Sequence, residues 1–510
     1  MSNHPWNVLL IVADQWRGDT LGAAGHPCVR TPHLDRLAAE GVTFTRHYAQ
    51  SSPCGPSRAS LATGQYLMNH RVITNDTPTA AHLKTLPWFA REAGYDPALI
   101  GYTTTVPDPR AAHASDPRFR VNTIADGWTV VRDFEGDRAH YLAYLSGLGY
   151  DVSGGYEAMF RPAPGTDESV RLAASPIKPE HSDTVWAVEG ALDYIRIRNQ
   201  EPWFLHLGTY RPHPPFMASA PFHAMYDPAH VPPPLHSMPL EQEKAMHPLA
   251  RLLMESVKAR TGVQHMTGLA SDISMQDWRK IRAAYYGLCS EVDAQLGRVF
   301  ELLRETGQDE RTLIVLTSDH GEQLGDHHLV SKRGYFPQSY HIPCIVRDPR
   351  AAADATRGRK IGAFTENVDI LPTLLEWLGH PIPNQCDGRS LLAHVHGEAP
   401  AAWRREARWE YDFRDMAGGE AARRLGIHED ATSLAVVCDT DFAYVHFAQL
   451  PPLLFDLARD PHWTHNAADD PSYAAVALRY ARRMLDWRLA HADRTLTGLA
   501  ISASGLVGRP

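Results

Sequence analysis

Two apolar runs constrain this chain more than any other feature. Asn7-Val8-Leu9-Leu10-Ile11-Val12-Ala13 and Thr312-Leu313-Ile314-Val315-Leu316-Thr317 are continuous rather than alternating, and each stops at an acid, Asp14 directly and Asp319 after Ser318. A strand with no polar face is buried on both sides, the situation of a central strand in a parallel sheet covered by helices. Ligands of open α/β sheets gather at the carboxyl ends of such strands, which makes both acids metal-ligand candidates. From the strand context alone, a turn or helix-cap role for Asp14 stays open.

The chain between and around these runs alternates in the same style. Thr31 to Gly41 reads as a helix capped by Thr31, opened by Pro32 and stopped by Gly41. Val42 to Tyr48 reads as a strand, Thr85 to Ala93 as a short helix, and Asp96 to Gly101 as a strand running into Tyr102-Thr103-Thr104-Thr105. Asp183 to Arg198 is expected to be helical and Trp203 to Leu207 extended. The longest helix is expected over Met275 to Arg304, where Trp278, Ile281, Tyr285, Leu288, Val292, Leu296, Val299 and Leu303 recur at intervals of three and four. A further helix is expected over Thr365 to Gly379. Pro107 to Ser175 and Pro221 to Asp272 read as irregular surface excursions, and His223, His230, His236 and His247 in the second of these read as surface residues.

At 510 residues the chain exceeds what one growing core accommodates. The expected architecture is α/β, a large, mostly parallel central sheet flanked by helices over residues 1–396, followed over 397–510 by a small antiparallel sheet with one helix and a tail. Leu434 to Cys438, Phe442 to Phe447 and the helix Tyr473 to Ala490 carry the second part. A net charge of -9 argues against a nucleic-acid partner. The apolar run at Asn7 is too short for a membrane span and lacks the basic flank of a signal peptide. Six scattered cysteines without a CxxC pair point to reduced thiols and a cytoplasmic protein.

One cysteine stands apart. Pro53-Cys54-Gly55-Pro56-Ser57-Arg58 runs into a helical segment expected to start near Ser57, which would leave Cys54 exposed at a helix N-terminus, where free N–H groups favour an anion. Cys54-x-Pro-Ser-Arg58, extended by Ala59-Ser60-Leu61-Ala62-Thr63-Gly64, resembles the pattern by which sulfatases mark a cysteine for oxidation to formylglycine. In chain order Asp14, the Cys54 segment, Pro212-His213-Pro214, Ser318-Asp319-His320-Gly321-Glu322 and Lys332 resemble the sulfatase branch of the alkaline phosphatase superfamily over most of residues 7–392.

The resemblance implies a mechanism. Formylglycine made from Cys54 by a formylglycine-generating enzyme would be hydrated, attack sulfur or phosphorus in line, expel an alcohol or phenol, and re-form the aldehyde as the anion leaves. Asp14, Asp319, His320 and the side chain at 54 are carried over as ligands of one divalent metal ion. Arg58 is carried over as the residue that orients the nucleophile. Lys332 and His213 are carried over to offset charge on the transferred group or to protonate the leaving oxygen.

Three departures from the usual sulfatase pattern refine this. Gln15 stands where a second acid is usual and His320 where an amide is usual, a softer donor set that favours manganese ahead of calcium, with zinc or iron as alternatives. Tyr102 and Thr104 stand where sulfatases carry a Lys and a His. That arrangement, with Tyr210-Arg211-Pro212-His213 and Asp326-His327-His328-Leu329, resembles the phosphonate monoester hydrolases of the superfamily. The expected activity is therefore hydrolysis of phosphonate monoesters and phosphodiesters, with aryl sulfates as further substrates. Gln15, Asn75, Tyr102 and Thr104 are expected near metal or substrate, and a homo-oligomer, tetramer or dimer, is expected by the same resemblance. A dedicated arylsulfatase, a metal-dependent phosphatase with an unmodified residue 54, and a non-catalytic binding protein are the competing readings.

Overall fold

The computed structural model describes residues 6–508 except 112, 114, 117, 118, 120–123, 162–172 and 401. Its centre is a nine-stranded sheet ordered β4-β3-β5-β1-β6-β8-β2-β7, with β9 paired to β2. The strands are β1 (Asn7–Ala13), β2 (Val42–Tyr48), β3 (Pro97–Gly101), β4 (Thr129–Asp133), β5 (Phe204–Thr209), β6 (Thr312–Ser318), β7 (His341–Ile342), β8 (Cys344–Arg347) and β9 (Arg359–Glu366). From β4 through β6 every neighbour is parallel. The antiparallel pairs involve β7 and β8.

The two apolar runs are adjacent strands. β1 and β6 pair in parallel with Ala13 opposite Ser318, so the residues that follow, Asp14 and Asp319, leave the sheet at one level. Every residue of both strands is buried, because helices cover both faces. The helix Met275–Glu305 buries Trp278, Ile281, Tyr285, Leu288, Val292, Leu296, Val299 and Leu303. On the other side of β1, β5 and β3 follow, and their carboxyl ends deliver Arg211–His213 and Tyr102 to the same edge. Gly101 lets this happen. Its φ is +112° and a Cβ there would meet the Gly208 carbonyl oxygen at 2.5 Å, so β3 and β5 approach as only a glycine allows.

A second sheet of four antiparallel strands, β10 (Ala407–Asp412), β11 (Ser433–Cys438), β12 (Phe442–Phe447) and β13 (Leu453–Asp456), carries the helix Ala474–Ala490. Tyr480, Met484 and Trp487 of that helix pack on Ala435, Val437, Tyr444 and Leu454. β10 also reaches the large sheet: Ser51 bridges to Glu410, Trp409 stacks on Tyr48, and Arg404 pairs with Asp369. An antiparallel hairpin, β14 (Leu499–Ser502) with β15 (Gly505–Gly508), ends the described chain.

Several expectations are corrected. Thr365 and Glu366 belong to β9, and the helix there starts at Ile370. The Thr31 hydroxyl does not cap the helix Pro32–Glu40; it accepts from Gly22 N–H and donates to Asp35. The stretch after Pro107 is not a featureless excursion, since it supplies β4, the helix Ala139–Gly147 and buried Phe134, Tyr141, Tyr156 and Phe160. The second excursion contains the helices Leu240–Met246 and Pro248–Ser256, and His247 between them is buried, its Nδ1 accepting from Leu249 N–H.

Candidate active site

The helix Cys54–Thr63 begins at Cys54 itself, after Pro53 in an extended conformation. Both expectations for this segment are thereby corrected, because the first turn starts at Cys54 rather than near Ser57 and the thiol is 6% exposed. Two loops cover it. Gly55 N–H donates to Asn75 Oδ1 at 2.8 Å, and a Cβ at Gly55 would lie 3.0 Å from Asn75 Cα and 3.3 Å from the Thr104 carbonyl oxygen. A side chain at that position would push both loops off the cysteine.

Around the thiol, four of the expected residues converge. One donor atom from each of Asp14, Cys54, Asp319 and His320 lies within 4.8 Å of every other, and all four residues are buried. His320 Nδ1 bonds the Gly321 carbonyl, which assigns the proton to Nδ1 and leaves Nε2 with a lone pair 3.2 Å from Cys54 Sγ, 3.6 Å from Asp319 and 3.9 Å from Asp14. Asp14 Oδ1 is buried with no hydrogen-bond partner. An orphaned carboxylate oxygen facing an imidazole lone pair and a second carboxylate fits a divalent cation, which would offset the desolvation cost of the buried acids.

Arg58, one turn into the helix, ties the acids together. Its Nε donates to Asp319 at 3.0 Å, one Nη donates to Asp14 at 3.2 Å and the other to the Tyr102 carbonyl at 2.9 Å, while the guanidinium sits 4.2 Å over the Tyr102 ring. The Tyr102 hydroxyl donates to Asp14. Lys332 Nζ lies 2.5 Å from Gln15 Oε1 and 3.4 Å from Cys54 Sγ. Gln15 in turn gives its N–H to Asp319 at 3.0 Å and its side-chain amide to Glu322. His213 lies against the Tyr210 ring at 4.5 Å, with Nδ1 bonded to the Pro214 carbonyl at 2.7 Å and Nε2 left as its available nitrogen. Arg211 holds that turn by donating to the carbonyls of His213 and Pro215. Thr104 is buried with φ +51°.

The charges answer one another. Burial and the neighbouring Asp319 push Asp14 upward. Burial acts on Asp319 in the same sense, but His320, Arg58 and Lys332 overcome it and hold that carboxyl below the usual range. Burial and Asp14 push the Cys54 thiol up, so an unmodified cysteine here is a protonated, weak nucleophile. Burial and Lys332 hold the His213 imidazole neutral.

Residues 6–380 match the Sulfatase family, and residues 325–490 match the family described as N-sulphoglucosamine sulphohydrolase, C-terminal. The chain belongs to the sulfatase family. It is 45% identical to the multifunctional alkaline phosphatase superfamily protein PehA of Trinickia caryophylli, with 99% of each chain covered. The crystal structure of the phosphonate monoester hydrolase of Agrobacterium radiobacter matches with a TM-score of 0.94 at 40% identity, over 99% of this chain and 100% of that one. The arylsulfatase of Clostridium perfringens is more distant, 26% identical over 94% of this chain and 93% of its own. The expected large, mostly parallel sheet flanked by helices and the small antiparallel sheet are the observed fold.

Two residues escaped the sequence reading. Glu322, although inside the quoted Ser318–Glu322 segment, was not singled out; it accepts from Gln15, Leu324 N–H and Ser331 N–H and so fixes both Gln15 and the loop leading to Lys332. Glu135 follows β4 and accepts from the N–H groups of Thr103 and Thr104, the latter at 3.0 Å. The rule that found Asp14 and Asp319, an acid just past a strand end, finds Glu135 once β4 is recognised.

Proposed function

We propose that this sulfatase hydrolyses phosphonate monoesters and phosphodiesters and accepts aryl sulfates as further substrates. The observation that carries the reading is the carboxyl end of β3, where Tyr102 and Thr104 stand with no cationic side chain between them and Tyr102 is hydrogen-bonded to Asp14. With neutral donors there, the site places less positive field on the transferred group, which suits monoanions of phosphorus as well as sulfur. The likeness to PehA and to the Agrobacterium hydrolase over the full chain supports it.

In this reading Asp14, Asp319, His320 and the side chain at 54 hold one divalent ion, manganese first because imidazole joins the two carboxylates. Such an ion supplies Lewis-acid stabilisation of charge on the reacting oxygens. Residue 54 is formylglycine, made by a formylglycine-generating enzyme, and gives the nucleophile that the protonated thiol does not. Arg58 fixes the two acids and the residue at 54 in one geometry. Lys332 places a positive charge 3.4 Å from the atom at that position and offsets charge on the transferred group. His213, kept neutral until an anion balances Lys332, takes up a proton from solvent at Nε2 as the anionic ester binds and gives it to the leaving oxygen. Gln15 and Asn75 steady Lys332 and the start of the helix. A homo-oligomer completes the proposal, with Ile501 and Leu506 of the terminal hairpin exposed for contact, and light scattering on the purified chain tests it.

The deciding measurement is kcat/KM for an aryl phenylphosphonate and an aryl sulfate on one preparation, with mass spectrometry of the Cys54 peptide and metal analysis of the same sample. Comparable or greater activity on the phosphonate, with the aldehyde at 54, is the expected result. A large excess for sulfate makes the enzyme a dedicated arylsulfatase instead.

A further inference from the structure

Seven aromatic rings, Tyr102, Phe134, Tyr141, Tyr156, Phe160, Trp186 and Tyr210, form a separate cluster beside the site. Arg58 lies over Tyr102 and Arg132 over Trp186 at its margins; the two guanidinium groups that each lie over several of its rings, Arg211 and Arg138, differ. Arg211 is 4% exposed and pairs with Asp183 at 3.0 Å, donates to two carbonyls and donates to the Tyr156 hydroxyl at 2.6 Å. Its charge and donors are satisfied within the fold. Arg138 lies 4.7 Å over Tyr210, 4.7 Å over Tyr156 and 5.3 Å over Phe134. Yet among the described residues its side chain has no hydrogen bond and no ion pair, and its Nε is buried without a partner. Glu157, which contributes to its field, is exposed and does not pair with it.

Ring faces compensate a guanidinium's charge, and with Tyr156 and Tyr210 at 81° to each other at least one of them meets its N–H edge, but such contacts are weaker than hydrogen bonds to oxygen acceptors. Arg138 is half-buried: its Nε is buried unmade beside a satisfied Arg211, and the rest of the fork is open to a ligand. The location says which ligand. Tyr210 is shared: Arg138 lies on its ring at 4.7 Å and His213 at 4.5 Å, and Tyr102 is 6.1 Å away. Arg138 is thus one aromatic ring removed from the residues that face the scissile ester. Lys332 already serves the reacting anion, so a fork set one ring further out meets the organic part of the substrate.

We propose that Arg138 is a specificity-determining residue that recognises a second anionic group, a carboxylate or phosphate, carried on the organic part of the ester. This rests on the reading of the site as an ester hydrolase. Arg211 positions the ring cluster and the His213 turn, and Arg138 reads what lies beyond them.

The test compares 4-carboxyphenyl phenylphosphonate with its uncharged 4-methoxycarbonyl counterpart. The wild type is expected to favour the carboxylate in kcat/KM by on the order of ten- to a hundred-fold, as a charge-assisted fork contact allows. In Arg138→Met, whose stem still covers the rings, that ratio falls towards one, and Arg138→Lys retains part of it. A purely structural role lowers both esters alike and leaves the ratio intact, which overturns the proposal, as does a wild type with no preference. Calorimetric binding of the same two esters to Cys54→Ala protein separates the two readings. A binding preference that Arg138→Met abolishes, without turnover in the parent enzyme, sustains Arg138 and removes the hydrolase assignment. Equal binding of the two esters removes Arg138 alone.

Discussion

The strand-end cluster around Cys54 and the ring cluster around Tyr210 share Tyr102 but are built on different principles. In the first, charged groups answer one another at close range: Arg58 touches both acids, Lys332 touches Gln15 and Cys54, and Asp14 keeps one free oxygen for a cation. In the second, Arg211 has one charged partner, Asp183, while Arg138 rests on aromatic faces and makes no side-chain hydrogen bond or ion pair among the described residues. Close mutual satisfaction fixes a geometry for chemistry, whereas rings and an unfilled fork tolerate different organic groups. Changes in the first cluster should therefore cost every substrate alike, and changes in the second should alter which substrate is preferred.

The largest effect is expected at the nucleophile. Cys54→Ala should lower turnover of all esters by on the order of ten thousand-fold or more, with little change in thermal unfolding, as steady-state kinetics and calorimetry will read. Removing the metal with a chelator should cost about a thousand-fold, since several kcal/mol of charge stabilisation leave with it, and manganese should restore activity. Loss without recovery, or recovery only with calcium, would count against the donor-set argument. Arg58→Met should reduce kcat by roughly a hundred- to a thousand-fold and lower the melting temperature of metal-free protein, because Asp14 and Asp319 then face each other without their shared cation.

The comparison is sharpest at Glu135, which belongs to the ring side yet supports Thr104. Glu135→Ala should cost about ten-fold, mainly through KM, and Glu135→Gln should recover most of it by keeping one acceptor for the Thr103 and Thr104 N–H groups. A drop as steep as that of Arg58→Met would dissolve the distinction between the two sides.

Much of the first cluster was legible because central parallel strands announce themselves. β1 and β6 have no polar face, and the residues after them fall at the sheet edge whatever else the chain does. β9 was misread because its first residues, Arg359 and Lys360, are polar and exposed, so only its last three are buried and no apolar run marks it. β4 is an edge strand with exposed Val130 and Val131, and without it Glu135, Arg138 and the ring cluster had no frame. The burial of Cys54 was out of reach for a different reason. A helix N-terminus is open by itself, and here it is closed by Asn75 and Thr104, which come from loops whose paths no local pattern encodes.

The bridge from Ser51 to Glu410, with Glu410 N–H bonded to the Gln50 carbonyl, has a consequence for timing. The segment just ahead of Cys54 gains its β10 neighbour only when the ribosome has delivered most of the chain. For an enzyme that modifies residue 54, as the proposed function requires, this segment stands without its β10 partner until synthesis has passed Glu410.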